Sequence, residues 1–85
     1  MIRIAIVEDD DAYCRQLVDF LKRYESESGE SFRLSLFSDG MEIVQDYRSE
    51  YDIILMDIEM RYMDGMTAAE RIRKLDMEVV IIFIT

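Results

Sequence analysis

The chain has 85 residues, with 19 acidic against 10 basic side chains and a formal net charge of -9. That length allows one domain, and with 51% hydrophobic residues, no proline and three glycines it is neither a disordered acidic tail nor fibrous or linker material. The anionic balance opposes direct contact with a nucleic-acid backbone, which would repel it.

In chain order, Ile2, Ile4, Ala5, Ile6 and Val7 form a short run broken only by Arg3. Such a run predicts a strand buried on both faces, as in a parallel sheet. No leader-like segment precedes it. Glu8, Asp9, Asp10 and Asp11 follow, and then Tyr13, Leu17, Phe20, Leu21 and Tyr24 fall at helical spacing. The acids cap that helix and suit the positive end of its dipole. Its stop is expected within the polar residues 26–29, with the acid-rich residues 25–30 as a solvated loop. Cys14, the lone cysteine, closes no internal disulfide and reads as a small packed residue, not a nucleophile.

Phe32, Leu34, Leu36 and Phe37, interleaved with Arg33 and Ser35, predict a second strand. Ser38-Asp39-Gly40 then turns the chain into a short helix carrying Met41, Val44 and Tyr47. Ile53-Ile54-Leu55-Met56 predicts a buried third strand, and Thr67-Ala68-Ala69-Glu70 has the spacing of a capping box, with Asp64 as a rival cap. Ala69, Ile72 and Leu75 are expected on the inner face of the third helix, with Met60, Met63 and Met66 filling gaps beneath the preceding loop. Arg71, Arg73 and Lys74 read as a solvated helix end near the negative pole of its dipole. Residues 79–84 predict a fourth strand, and this longest apolar stretch is too short to span a bilayer. The alternation of strands and helices predicts one α/β unit over residues 1–85, a three-layered parallel sheet with right-handed crossovers. The location expected for such a chain is the cytoplasm.

In an open parallel sheet, sites form beyond the carboxyl ends of the strands. Those ends carry Glu8, Asp9 and Asp10 after the first strand, Asp57 after the third and Thr85 after the fourth. Two unit charges about 4 Å apart repel by about 4 kcal/mol at an effective dielectric of about 20, so converging carboxylates call for a cation. With no histidine in the chain, a hard cation held by oxygens is expected, and Mg²⁺ suits a site of one or two carboxylates plus phosphate oxygens. Asp57 differs from the other acids because an apolar strand fixes its position. A rigid carboxylate beside Mg²⁺ can attack phosphorus to form an aspartyl phosphate, with the Thr85 hydroxyl donating to a phosphoryl oxygen. Acids also gather at strand ends simply because water is there, and Asp10 and Asp11 serve as helix caps.

These residues resemble a known family, the receiver domains of two-component response regulators. Ile4-Ala5-Ile6-Val7-Glu8-Asp9-Asp10 is similar to the first strand of the family with its acidic pair. Tyr51-Asp52-Ile53-Ile54-Leu55-Met56-Asp57-Ile58-Glu59-Met60 is similar to its phosphoacceptor strand, and Met63-Asp64-Gly65-Met66 to the turn into its third helix. The wording is especially similar to receivers that precede LytTR-type DNA-binding domains. The resemblance implies a flavodoxin-like sheet of order 2-1-3-4, with Asp57 as phosphoacceptor, Asp9 as a direct Mg²⁺ ligand and Glu8 holding the ion directly or through water. It also implies the main-chain carbonyl of Glu59 as a ligand, Thr85 as the switch hydroxyl and a sensor histidine kinase as partner. The expected role is phosphorelay signalling, as an acceptor and not an enzyme.

Two departures from the family stand out. Arg61 occupies the position where the family usually has proline, which restores a backbone donor and brings a positive charge close to the acids. The sequence also stops at Thr85, where the family continues through a helix, a strand carrying a phosphoryl-binding lysine, and a last helix. On that reading residues 79–84 form an apolar sheet edge, and a homo-oligomer joined there is expected. Two other classes compete: a receiver-like interaction module that is never phosphorylated, and a flavodoxin-like cofactor binder. The last is disfavoured because acids stand in the first turn where phosphate binding wants glycines and amides.

Overall fold

The computed structural model describes residues 1–84. Its elements run β1 (Ile2–Val7), α1 (Asp11–Ser28), β2 (Phe32–Phe37), α2 (Gly40–Gln45), β3 (Ile53–Met56), α3 (Gly65–Leu75) and β4 (Val80–Phe83). The four strands pair in parallel in the order β2-β1-β3-β4, so β1 and β3 are internal. Ile4, Ala5, Ile6 and Val7 of β1 are all buried, as a strand covered on both faces requires.

The side-chain alternation of the strands divides the core in two. On one face Ala5, Val7, Ile54 and Met56 pack with Ile43 of α2 and with Ala68 and Ile72 of α3. On the other, Ile4 and Ile6 pack with Cys14 of α1, flanked by half-buried Leu17, Val18 and Leu21. The result is the three-layered α/β arrangement anticipated from the sequence. Each large apolar side chain fully buried in this way, such as Ile6, Ile54 or Ile72, contributes on the order of 1.5–3 kcal/mol. The register pairs Val7 with both Phe37 and Met56, and Met56 with Phe83, so the carboxyl ends of all four strands finish level on one edge.

Several local expectations are corrected. The stripe of α1 is rotated: Cys14, Leu17, Val18 and Leu21 face the sheet, whereas Phe20 and Tyr24 are 64% and 50% exposed. Helix α1 also continues through Ser28 to a left-handed cap at Gly29, so residues 25–28 are helix and not loop. Glu25 is half-buried and accepts the backbone N–H of Phe32, the first residue of β2. In α3 the cap is Asp64, whose carboxylate accepts from the Thr67 N–H at 2.8 Å. That cap starts the helix at Gly65, and Ala68 takes the buried inner position with Ile72; Ala69 is only half-buried and Leu75 is 64% exposed. Met63 is buried, but Met66 is exposed. Strand β4 begins one residue late, because the Val79 N–H turns aside to the Asp76 carboxylate at 3.2 Å. Arg73 donates to the Asp76 carbonyl at 3.3 Å, closing the end of α3.

Candidate functional site

The level carboxyl edge of the sheet delivers the acids. The Asp57 N–H donates to the Val7 carbonyl at 3.0 Å, continuing the β1–β3 ladder by one residue and setting Asp57 beside Glu8. The Glu8 N–H donates to the Phe37 carbonyl at 3.0 Å, which extends the β1–β2 ladder in the same way. Past Glu8 the chain turns into α1, where Asp10 is the N-cap and accepts from the Ala12 and Tyr13 N–H groups at 3.0 and 3.2 Å. Asp10 is therefore occupied with its helix, as the sequence reading allowed. Carboxylate oxygens of Glu8, Asp9 and Asp57 come within 4.8 Å of one another. They line an open cleft of about 510 Å³ together with Asp10, Ile58 and Glu59.

The three acids differ in environment. Glu8 and Asp57 are buried, with 4% and 6% of their surfaces exposed, while Asp9 lies in solvent. Burial is the main reason the Glu8 carboxyl is pushed up to about 7, and the neighbouring carboxyls of Asp57 and Asp9 push the same way. The Asp10 N–H, donating to Glu8 Oε2 at 3.2 Å, works against them. A carboxyl pushed up to about 7 by burial first and by two acidic neighbours after it is in an environment that a divalent cation would relieve. Oxygen-only donors at this spacing fit Mg²⁺ or Mn²⁺ and do not suit softer metals.

The loop after Asp57 is pinned at both ends. At its far end the Gly65 N–H donates to the Ile58 carbonyl at 2.7 Å, and a side chain at Gly65 would collide with the Asp57 carbonyl. Nearer its middle, Asp39 reaches across from the start of α2. Its Oδ1 accepts from the Tyr62 and Met63 N–H groups at 3.2 and 3.3 Å, and its Oδ2 accepts from the Met41 N–H at 2.8 Å. Asp39 is buried, and the neighbouring Gly40 allows the approach: a Cβ there would stand 2.6 Å from the Met63 carbonyl oxygen. A second cleft of about 540 Å³ adjoins the first through Asp9 and is lined by Ser38, Asp39, Met41, Glu42, Arg61 and Tyr62. Arg61, the residue at the usual proline position, thus shares a wall with Asp9.

The structure brings together Glu8, Asp9 and Asp57 from the sequence-derived set and places Glu59 on the wall of the same cleft. Thr85 lies outside the described residues. Sequence reasoning took Asp39 and Gly40 only as a turn and Gly65 only as part of a motif; the Ser-Asp-Gly string was the one available signal for the former pair. Cys14 is buried, with its thiol pushed up by that burial and by nearby Glu8 and Asp11, in keeping with a packed and unreactive side chain.

A parallel 2-1-3-4 sheet with helices on both faces and acids converging beyond β1 and β3 defines an α/β domain of the flavodoxin-like class. The response regulator receiver domain profile matches residues 4–85, and the chain belongs to that family, a receiver domain of two-component signalling. Among curated relatives, it is 36% identical over 75 residues to a protein-glutamate methylesterase/protein-glutamine glutaminase of Paramagnetospirillum magneticum, covering 88% of this chain and 19% of that protein. It is 34% identical over 85 residues to the transcription factor SKN7 of Saccharomyces cerevisiae, covering 96% of this chain and 12% of that one. The chain therefore spans 19% or less of these relatives. The receiver domain of a modulated diguanylate cyclase from Desulfovibrio desulfuricans superposes with a TM-score of 0.80 at 27% identity, covering all of this chain and 65% of that one. The non-phosphorylated HemR receiver domain from Leptospira biflexa, at 24% identity, shares the fold with a TM-score of 0.82, over 98% of this chain and 63% of that one. No helix among the described residues is long and apolar enough to cross a membrane.

Proposed function

We propose that residues 1–85 act as one phosphoacceptor unit in which Asp57 takes a phosphoryl group and the acidic pocket binds Mg²⁺. The observation that carries this reading is the convergence of Glu8, Asp9 and Asp57 to within 4.8 Å, two of them buried. Asp9, Asp57 and the main-chain carbonyl of Glu59 would hold the ion, with Glu8 holding it directly or through water. The ion supplies positive charge that offsets the carboxylates and the transferring phosphoryl oxygens. An Asp57 carboxylate oxygen attacks phosphorus of a phosphohistidine or an acyl phosphate. The new O–P bond makes an acyl phosphate on Asp57, the donor's N–P or O–P bond breaks, and the donor leaves with that electron pair. Placement of Asp57 on the β1–β3 ladder keeps the nucleophile still while the donor approaches. Thr85 follows the fourth strand in sequence and is the proposed hydroxyl donor to the phosphoryl group.

The proposed phosphodonor is a sensor histidine kinase, the proposed location is the cytoplasm, and the chain serves as acceptor in a relay, not as an enzyme with turnover. Incubation with acetyl phosphate and Mg²⁺, followed by intact-mass measurement, tests the reading. One added phosphoryl group that is lost in Asp57→Asn and in the absence of Mg²⁺ is the expected result. An unchanged mass, in conditions where Mg²⁺ binds, would leave a receiver-like interaction module instead.

A further inference from the structure

We propose that Asp39 is a positioning residue for the ion site, holding the loop that carries Glu59 in the conformation that meets the cation; this rests on the ion-binding reading above. Residues 58–64 form neither helix nor strand, yet they follow the proposed nucleophile and include the proposed carbonyl ligand. A loop free to wander would have to be ordered each time an ion bound, which weakens binding. Asp39 removes that freedom through two distinct arms. One oxygen caps α2 at the Met41 N–H, while the other holds the Tyr62 and Met63 N–H groups, 23 and 24 residues further along the chain. The Met63 amide is otherwise poorly placed to find a partner, because Met63 is buried in the core and the carboxylate that serves it is itself 6% exposed, whereas Tyr62 beside it is 78% exposed. Gly40 makes the contact possible by letting the start of α2 lie against the Met63 carbonyl, with Ala68 beneath it. Asp39 bonds the loop three and four residues beyond Glu59 and not Glu59 itself, so it acts on that carbonyl through the loop backbone. The low end of the roughly 10–100-fold loss in metal affinity that follows removal of a direct partner of a ligand is expected.

The two arms can be separated. Asp39→Ser keeps an N-cap oxygen for α2 but is too short to reach Tyr62 and Met63. Asp39→Asn keeps a carbonyl oxygen for the loop amides and gives up the acceptor at Met41. Glu42→Gln disturbs the same end of α2, where Glu42 accepts from the Ser38 N–H and hydroxyl at 2.9 and 2.7 Å, without touching the loop. Mg²⁺ affinity by calorimetry and amide hydrogen exchange at Tyr62 and Met63 are then measured on the parent and all three variants. Asp39→Ser is expected to bind Mg²⁺ about tenfold or more weakly and to exchange those two amides faster. Asp39→Asn and Glu42→Gln should stay close to the parent in both readings. Equal affinity in parent and Asp39→Ser, or an equal loss in Glu42→Gln, would overturn the role given to Asp39 alone. A parent that takes up no Mg²⁺, or whose affinity survives Asp9→Asn, would overturn the ion-binding reading and this inference with it.

Discussion

Replacing Glu8 by Gln should change how stability responds to pH, and the sign follows from burial. In the fold the Glu8 carboxyl is pushed from an ordinary 4.5 up to about 7, first by burial and then by Asp57 and Asp9. Between those two values the folded chain holds a proton that the unfolded chain has released. Stability therefore falls as pH rises through that window, and the loss is complete above about 7. A change of that size corresponds to about 3 kcal/mol as an upper figure, shared within a cluster whose acids titrate together. For a domain of this length each kcal/mol moves the melting temperature by about 4–8 °C. Glu8→Gln is neutral at every pH, so its stability should come closest to the parent at pH 5, near the lower edge of the window, and exceed it most at pH 8. Thermal melts of both chains at pH 5, 6, 7 and 8 without divalent ions give the comparison. Adding Mg²⁺ at pH 8 should recover stability in the parent by binding only the folded form, and should do less at pH 5, where the ion competes with the proton. Parallel pH profiles for parent and variant would refute the assignment of a buried proton to Glu8.

Two further outcomes are expected. Gly65→Ala should destabilise by about 1–3 kcal/mol through overpacking against the Asp57 carbonyl, and urea unfolding that shows no loss would contradict the close approach described. The 85-residue chain taken alone should self-associate at tens of micromolar, because Val80, Ile82 and Phe83 are 50%, 45% and 39% exposed on an edge strand. Light scattering coupled to size exclusion measures this, with Ile82→Lys shifting the population towards monomer; a strictly monomeric parent would refute it.

How much was legible in the sequence depends on how local the deciding interaction is. The apolar runs of β1 and β3 announce strands by composition, since a strand buried on both faces needs no partner to be recognised. Each run ends on its acids, so Glu8, Asp9 and Asp57 could be named as meeting once the strands were taken as parallel. The phase of a helix is less local: Phe20 and Tyr24 fit the α1 stripe as well as Cys14 and Val18 do, and only docking on the sheet selects between them. The rival caps of α3 were likewise equivalent on paper. Asp64 prevails because a helix begun at Gly65 lets that glycine lie against the backbone of Asp57 and Ile58. Asp39 marks the limit of the sequence reading. Its carboxylate accepts from amides 23 and 24 residues away, and neither periodicity nor motif spacing carries information about which turn will lie beside which loop. The residue types that could build the pocket are set by the sequence, whereas the geometry that holds them arises when α2, α3 and the sheet pack and each buried N–H must find an acceptor.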